Sequence, residues 1–465
     1  MKFLYVGFVS VLFLGCLPKA HPKNADKNTK GETQEDSANN QADNSSPKQN
    51  KETIVEESKN EQKNPDENTN PPSVENPVAP PMDKTPKVCD LGDFTVEGEY
   101  HLKKNESCDE FVFKKILVKN GGVLNIGPGV RLVTGEKAAR FAAEPLGNVF
   151  VQGSEDKRVF IGHLLDKASL NVSLGGTALL HFLDLRNVTL TFWGIQEVSL
   201  HSLKIDNAES EFFNGHSALG IRNAKLTRFS DVSILNHRGT PMHVTLRSLS
   251  SLPPTEKNPL EINSPDHAWI DLYNGLSSAN DAENDNFLPN LNYPFHVKNS
   301  LSFTGKSFVI EPGVKLRLCS SCMLYSWADQ LLLGQIQQAP VEITGNNGQD
   351  WIGMLIYEKT RIFSVHNTIF KDTRGTLRGA TSCPASAMIF EGGTQVDLKA
   401  STFSTRSGEL MALDSSVTLA IEPFSVRLEG GGFYTKDSFN PKTEWSISKL
   451  NESQVIEKKT CPSEL

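Results

Sequence analysis

The sequence predicts an all-β chain whose short parallel strands stack turn upon turn into a solenoid, carried behind a long segment that does not fold. Three observations lead there. Residues 17–88 contain no Phe, Tyr or Trp, an eight-residue pattern repeats at a spacing of 20 residues, and a ten-residue strand-turn-strand unit recurs far along the chain. The 465 residues carry 47 Lys and Arg against 55 Asp and Glu, a net charge of −8. That balance argues against a nucleic-acid partner, because phosphate binding needs a basic face. With 25 Phe, the remainder of the chain can fill an apolar interior.

The chain opens MKFLYVGFVSVLFLGC, with one charge at Lys2, thirteen uncharged residues from Phe3 to Gly15, and then Cys16. A run of this length is too short for a bilayer span but suits the apolar core of a secretory signal. Phe13-Leu14-Gly15-Cys16 resembles the bacterial lipobox, with Phe13 where Leu is usual. The resemblance implies cleavage before Cys16, a lipid on its thiol and, with Leu17 next, the outer membrane of a Gram-negative cell, on either face. Residues 17–88 hold 10 Lys and 13 acidic residues among Asn, Pro, Ser and Gln. Such a stretch cannot offset its ordering entropy by burial and is expected to be disordered. As a flexible coil it spans roughly 45 to 50 Å, enough to hold a folded body clear of the lipid.

Apart from Cys16 there are six cysteines: Cys89, Cys108, Cys319, Cys322, Cys383 and Cys461. An even count in an oxidising compartment points to disulfides. Local pairing is the simplest choice: Cys89 with Cys108, Cys319 with Cys322, Cys383 with Cys461. The CSSC of 319–322 lacks the second pair or nearby His that zinc needs, and the helix that a thioredoxin-like site needs.

From residue 110 onward, short alternating strands are punctuated by Gly and Asn. Leu180-His181-Phe182-Leu183-Asp184-Leu185-Arg186-Asn187 aligns with Leu200-His201-Ser202-Leu203-Lys204-Ile205-Asp206-Asn207, and Phe192-Trp193 lands on Phe212-Phe213. One turn of a coil of strands takes about this many residues, and stacking buries an apolar face that no single turn can bury. This register sets Asp184 beside Lys204 and Arg186 beside Asp206, two opposite-charge pairs worth about 0.2 to 1 kcal/mol each. His181 stacks on His201 and shares the parity of the inward leucines, which reads as a His pair at a turn of the core. Val123 to Leu132, with Gly127-Pro128-Gly129-Val130 at its centre, matches Ser307 to Leu316 with Glu311-Pro312-Gly313-Val314, and Leu419 to Pro423 is a weaker echo.

These stretches, with Trp351-Ile352-Gly353 after the second copy, resemble the right-handed parallel β-helix family of bacterial surface proteins and lipoproteins, which shares its fold with pectate lyases. The resemblance covers residues 111–247 and 294–430. It implies a right-handed parallel β-helix and, weakly, presentation of a surface for binding or adhesion. The expected organisation is a signal peptide over 1–15, lipidated Cys16 and tether over 16–88, a first β-helix half over 89–249, an excursion over the Pro-, Asn- and Asp-rich 250–293, and a second half with C-terminal cap over 294–465. One discontinuous coil is favoured over two domains.

Polysaccharide-cleaving β-helices cluster acidic residues on neighbouring turns. The 20-residue register instead sets acid against base, and the Asn-Thr-Asp, Asp-Asp and Arg-Ile-Lys patterns of polygalacturonases are missing. The chain is therefore expected to bind rather than cut, with a lyase or hydrolase as the alternative. Neither a cofactor nor a metal is expected. Asp281, Glu283 and Asp285 alternate as in calcium loops but lack the turn Gly and final Glu, and read as a solvated loop. Alternation puts Phe192 and Phe212 inside and offers Trp193 and Phe213 as an exposed aromatic platform, suited to an envelope glycan or a surface protein.

Overall fold

The computed structural model describes residues 87–465, except 106, 166–167, 195, 208–216, 253–259, 265–267, 276–283, 376–384, 436–440, 452–457 and 461–465. Cys16, Phe213, Cys383, Cys461 and nearly all of the tether lie outside the described residues. Strands form where apolar side chains alternate with polar ones, because alternate residues face opposite sides of a sheet. Val123–Ile126 buries Leu124 and Ile126, and Lys315–Leu318 buries Leu316 and Leu318. Neighbouring strands pair in parallel, and each turn contributes to three ladders around one apolar interior.

One ladder is unbroken. It starts at Val88–Val96 and ends at Arg427–Glu429, where thirteen successive pairings join fourteen strands. We call it the long ladder. In the later turns a second ladder runs from Asp285–Leu288 to Thr418–Ile421, and a third from Leu301–Phe303 to Lys458–Thr460. The interior is one continuous cluster from Val96 to Ile447, so the chain forms a single parallel β-solenoid rather than two.

The 20-residue register is present as read: Asp184 pairs with Lys204 and Arg186 with Asp206 between Ala178–Arg186 and Glu197–Asp206. The histidine reading needs correction. Phe182 has a left-handed backbone (φ 53°), as do Ser202 (51°) and Asp231 (54°) one and two turns on. Each such residue bends its strand around a corner and resets the alternation, so Ala178, Leu180, Leu183 and Leu185 all point inward. His181 and His201 consequently sit half-buried on the outside, rings edge to face at 5.8 Å, bonded to Ser199 and Ser230.

The excursion over 250–293 also needs correction. It holds three strands, Leu260–Asn263, Ile270–Tyr273 and Asp285–Leu288, and Ile270–Tyr273 lies in the long ladder between Met242–Thr245 and Phe295–Val297. Its polar composition conceals inward residues at strand spacing: Leu260, Ile262, Ile270, Leu272 and Leu288 are buried. The long repeat marks a corner, not a fixed place in the turn. The strand Arg131–Thr134 that ends the first copy is followed by another, Arg140–Ala143, on the long ladder, whereas Lys315–Leu318 ends the second copy and is itself on that ladder. Both copies bury the same positions, Val130 and Leu132 in one, Val314 and Leu316 in the other.

Cys89 and Cys108 are disulfide-bonded, as are Cys319 and Cys322. Trp351 is fully buried and its indole N–H donates to the Lys371 carbonyl at 2.7 Å, which explains the tryptophan of the Trp-x-Gly pattern as a core anchor. One turn departs from the strand rule. After Met242–Thr245 the chain forms a short helix, Leu246–Ser250, against Lys225–Leu235 and Asp285–Leu288.

Candidate functional site

The outer side of the long ladder gathers a concentration of polar and aromatic side chains, and the ladder's register explains why. Parallel strands in register stack one outward residue per turn, about 4.8 Å apart, into columns. One column reads Gly220, His243, Asp271, His296, Arg317, Thr344. Beside it, two residues further along each strand, Trp193 pairs with Arg222 and Thr245 with Tyr273.

Within this face the rings lie flat on one another. His243 stacks on Tyr273 at 4.1 Å with 7° between planes, and Trp269 stacks on His296 at 4.4 Å with 14°. Asp271 lies between the two histidines, only 7% exposed. Lys298 approaches its carboxylate at 3.1 Å and the Thr240 hydroxyl donates to it at 3.3 Å, which offset part of the cost of burying the charge. Burial pushes the His243 imidazole down to about 4, the Arg222 charge adds to the fall, and Asp271 opposes it. His243 is therefore neutral at physiological pH. Arg317 donates to Glu342 at 2.7 Å and to the Thr344 hydroxyl, closing the column with an ion pair.

Trp193 points outward and is 41% exposed, while Phe192 is buried. Its indole lies across Gly175, where a Cβ would come within 2.8 Å of the ring, so the missing side chain is what seats it. The neighbour on the next strand is Arg222, not Phe213. Leu190 pairs with Leu219 and Phe192 with Ile221, so the next strand of this ladder is Leu219–Arg222. The platform thus joins an aromatic to a cation. Sequence reasoning missed Asp271, Tyr273, His296, Lys298 and Arg317: the first two belong to a strand hidden in the polar 250–293 stretch, and the others join them only through the register of the long ladder. Among the described residues no three His, Cys, Asp or Glu side chains are placed to hold a metal ion, and no helix is long and apolar enough to cross a membrane.

A second concave region of about 520 Å³ lies on another wall, lined by Lys104, Arg131, Lys157, Arg158, Phe160 and Asp184 among others. Its cations are largely engaged: Arg131 lies 4.4 Å over the Phe160 ring, and Arg158 donates to Asp184 at 2.8 Å. Fold and face together define a parallel β-solenoid with an extended aromatic and cationic column on its longest sheet. No protein-family model, curated protein or solved structure matches the chain.

Proposed function

We propose that this chain is a bacterial envelope lipoprotein, lipidated at Cys16 and presented on the 16–88 tether, whose solenoid binds an anionic polysaccharide along the outer face of the long ladder. The observation that carries the reading is the run, over successive turns, of ring planes (Trp193, Tyr273 on His243, Trp269 on His296) beside the Arg222 cation, with Lys298 and Arg317 on the same face held in ion pairs with Asp271 and Glu342. A linear polymer laid along the solenoid axis meets one such residue per turn. Aromatic faces take the apolar side of sugar rings, and cations attract carboxylates. The resemblance to pectate-lyase-like solenoids supports the same ligand class. The lipobox-like motif and Leu17 support outer-membrane anchoring.

Affinity electrophoresis through gels containing polygalacturonate or neutral dextran tests it. Wild type is expected to be retarded by the acidic polymer alone, less so at high salt. The Trp193→Ala, Arg222→Gln double variant should bind about tenfold more weakly with unchanged melting, since two surface contacts of ordinary strength are lost. Equal retardation by both polymers, or no change in the variant, refutes the reading. One observation favours catalysis instead: Asp271, His243, His296 and Lys298 place acid-base groups together. Release of unsaturated or reducing sugar ends by wild type, abolished in Asp271→Asn, establishes that alternative.

A further inference from the structure

Where the short helix Leu246–Ser250 takes the place of a strand, the wall opens into a cavity of about 310 Å³, at the small end of the range for ligand sites. Its lining includes Arg247, Asn274, Asn286, Ser302, Thr304 and Trp327. Two features of this lining point to a ligand. The first is Trp327. One face of its indole is covered by the Tyr357 ring at 3.6 Å and 19°, with Tyr325 stacked beyond at 6.3 Å, and its backbone N–H donates to Phe303 at 2.8 Å. The ring remains 41% exposed and borders the cavity. A large aromatic fixed from behind and left open in front is a preorganised stacking surface.

The second is the polar set. Asn274 accepts from the Ser302 backbone N–H at 3.2 Å, and Asn286 donates to the Thr304 carbonyl at 2.7 Å, so both amides are oriented before any ligand arrives. Ser250, Ser302 and Thr304 add hydroxyls, Leu246 and Phe308 add apolar surface, and among the described residues Arg247 is the one ionisable side chain of the lining. The wall is closed tightly behind Arg247, where a Cβ on Gly275 would meet the Arg247 Cβ at 2.7 Å.

We infer that this cavity binds a single uncharged pyranose ring, stacked by its apolar C–H face on Trp327 and hydrogen-bonded by its hydroxyls to the amide and hydroxyl lining. A pyranose offers an apolar face and a rim of hydroxyls, the two chemistries this lining presents together. An anionic ligand would call for more than one cation, and a purely apolar ligand would leave the amides and hydroxyls unmatched. The site is separate from Trp193 and stands independently of the acidic-polymer reading.

Saturation-transfer NMR on the folded chain, with the methyl glycosides of glucose, galactose, mannose and N-acetylglucosamine as probes, tests the inference. Wild type is expected to transfer saturation to at least one glycoside, most strongly to the protons of one ring face. Trp327→Ala should weaken that binding by about tenfold or more, the loss of one aromatic stacking contact. Thr304→Val should weaken it a few-fold. Should the alanine variant melt early, Trp327→Leu keeps bulk against Tyr357, removes the indole plane and carries the same expectation. Absence of transfer to all four glycosides in wild type, or transfer that persists without the indole, overturns the assignment.

Discussion

His243 lies beneath the Tyr273 ring, and burial there, helped by Arg222, holds its imidazole at about 4 against an ordinary 6.5. The unfolded chain therefore binds a proton that the folded chain refuses between these values, and folding stability rises with pH across that window. The contribution is fully present above about pH 6.5 and is lost as the pH falls towards 4. Urea melts at intervals between pH 7 and 4 should show a falling midpoint in wild type and a flatter profile in His243→Gln; identical profiles refute the assignment. Asp184 shows how register and bonding can differ. Lys204 is its register partner, yet its carboxylate accepts from Arg158 at 2.8 Å, while Arg158 also reaches the Ser202 hydroxyl at 2.8 Å and carbonyl at 2.6 Å. Arg158 thereby ties adjacent turns at the corner. A double-mutant cycle should give about 1 kcal/mol of coupling for Arg158 with Asp184, a partly buried ion pair, and less for Asp184 with Lys204. The opposite ranking would contradict the geometry.

At the level of elements, the helix Pro441–Asn451 solves a problem that every solenoid has at its end, an open strand edge with unpaired backbone groups. The Thr443 hydroxyl accepts from the Leu419 N–H at 2.9 Å and donates to the Val417 carbonyl at 2.9 Å, and Ser446 donates to the Leu419 carbonyl at 2.7 Å. Two side chains thus stand in for part of the next strand, and both are buried with Ile447. Thr443→Val with Ser446→Ala should lower stability by roughly 2 to 4 kcal/mol, two buried bonding sites at about 1 to 2 each, and raise aggregation by light scattering. A double variant as stable and as monomeric as wild type would show that the edge needs no such cover. The sequence announced a C-terminal cap but not its workings, because a helix that closes a sheet edge through hydroxyls leaves no periodicity of its own. Strands were legible wherever alternation ran clean, as in 123–132 and 307–316. They were hidden in 250–293, where sequence rich in Pro, Asn and Asp surrounds strands of only four residues.

Along the solenoid, turns pack mainly on their immediate neighbours, so stability is spread along the axis and the ends depend on their covers. Anchoring belongs to this scale as well. Cys16→Ser should move the protein from the detergent phase to the aqueous phase on Triton X-114 partitioning, and wild type found in the aqueous phase would refute lipidation. What the sequence determined by itself was the class of fold and the identity of two disulfides, Cys89 with Cys108 and Cys319 with Cys322. Both follow from local information: the spacing of apolar residues within a turn, the repeat that stacks one turn on the next, and cysteines close along the chain. It also placed Trp193 outside and Phe192 inside, since alternation within a single strand is enough for that. Only the tertiary structure decided what stands beside Trp193. A column on a solenoid draws one residue from each turn, and turns here differ in length and are interrupted by loops of unequal size. The partner of a given residue is therefore set by ladder register and not by sequence offset, which is why Arg222 occupies the place that the 20-residue spacing assigned to Phe213.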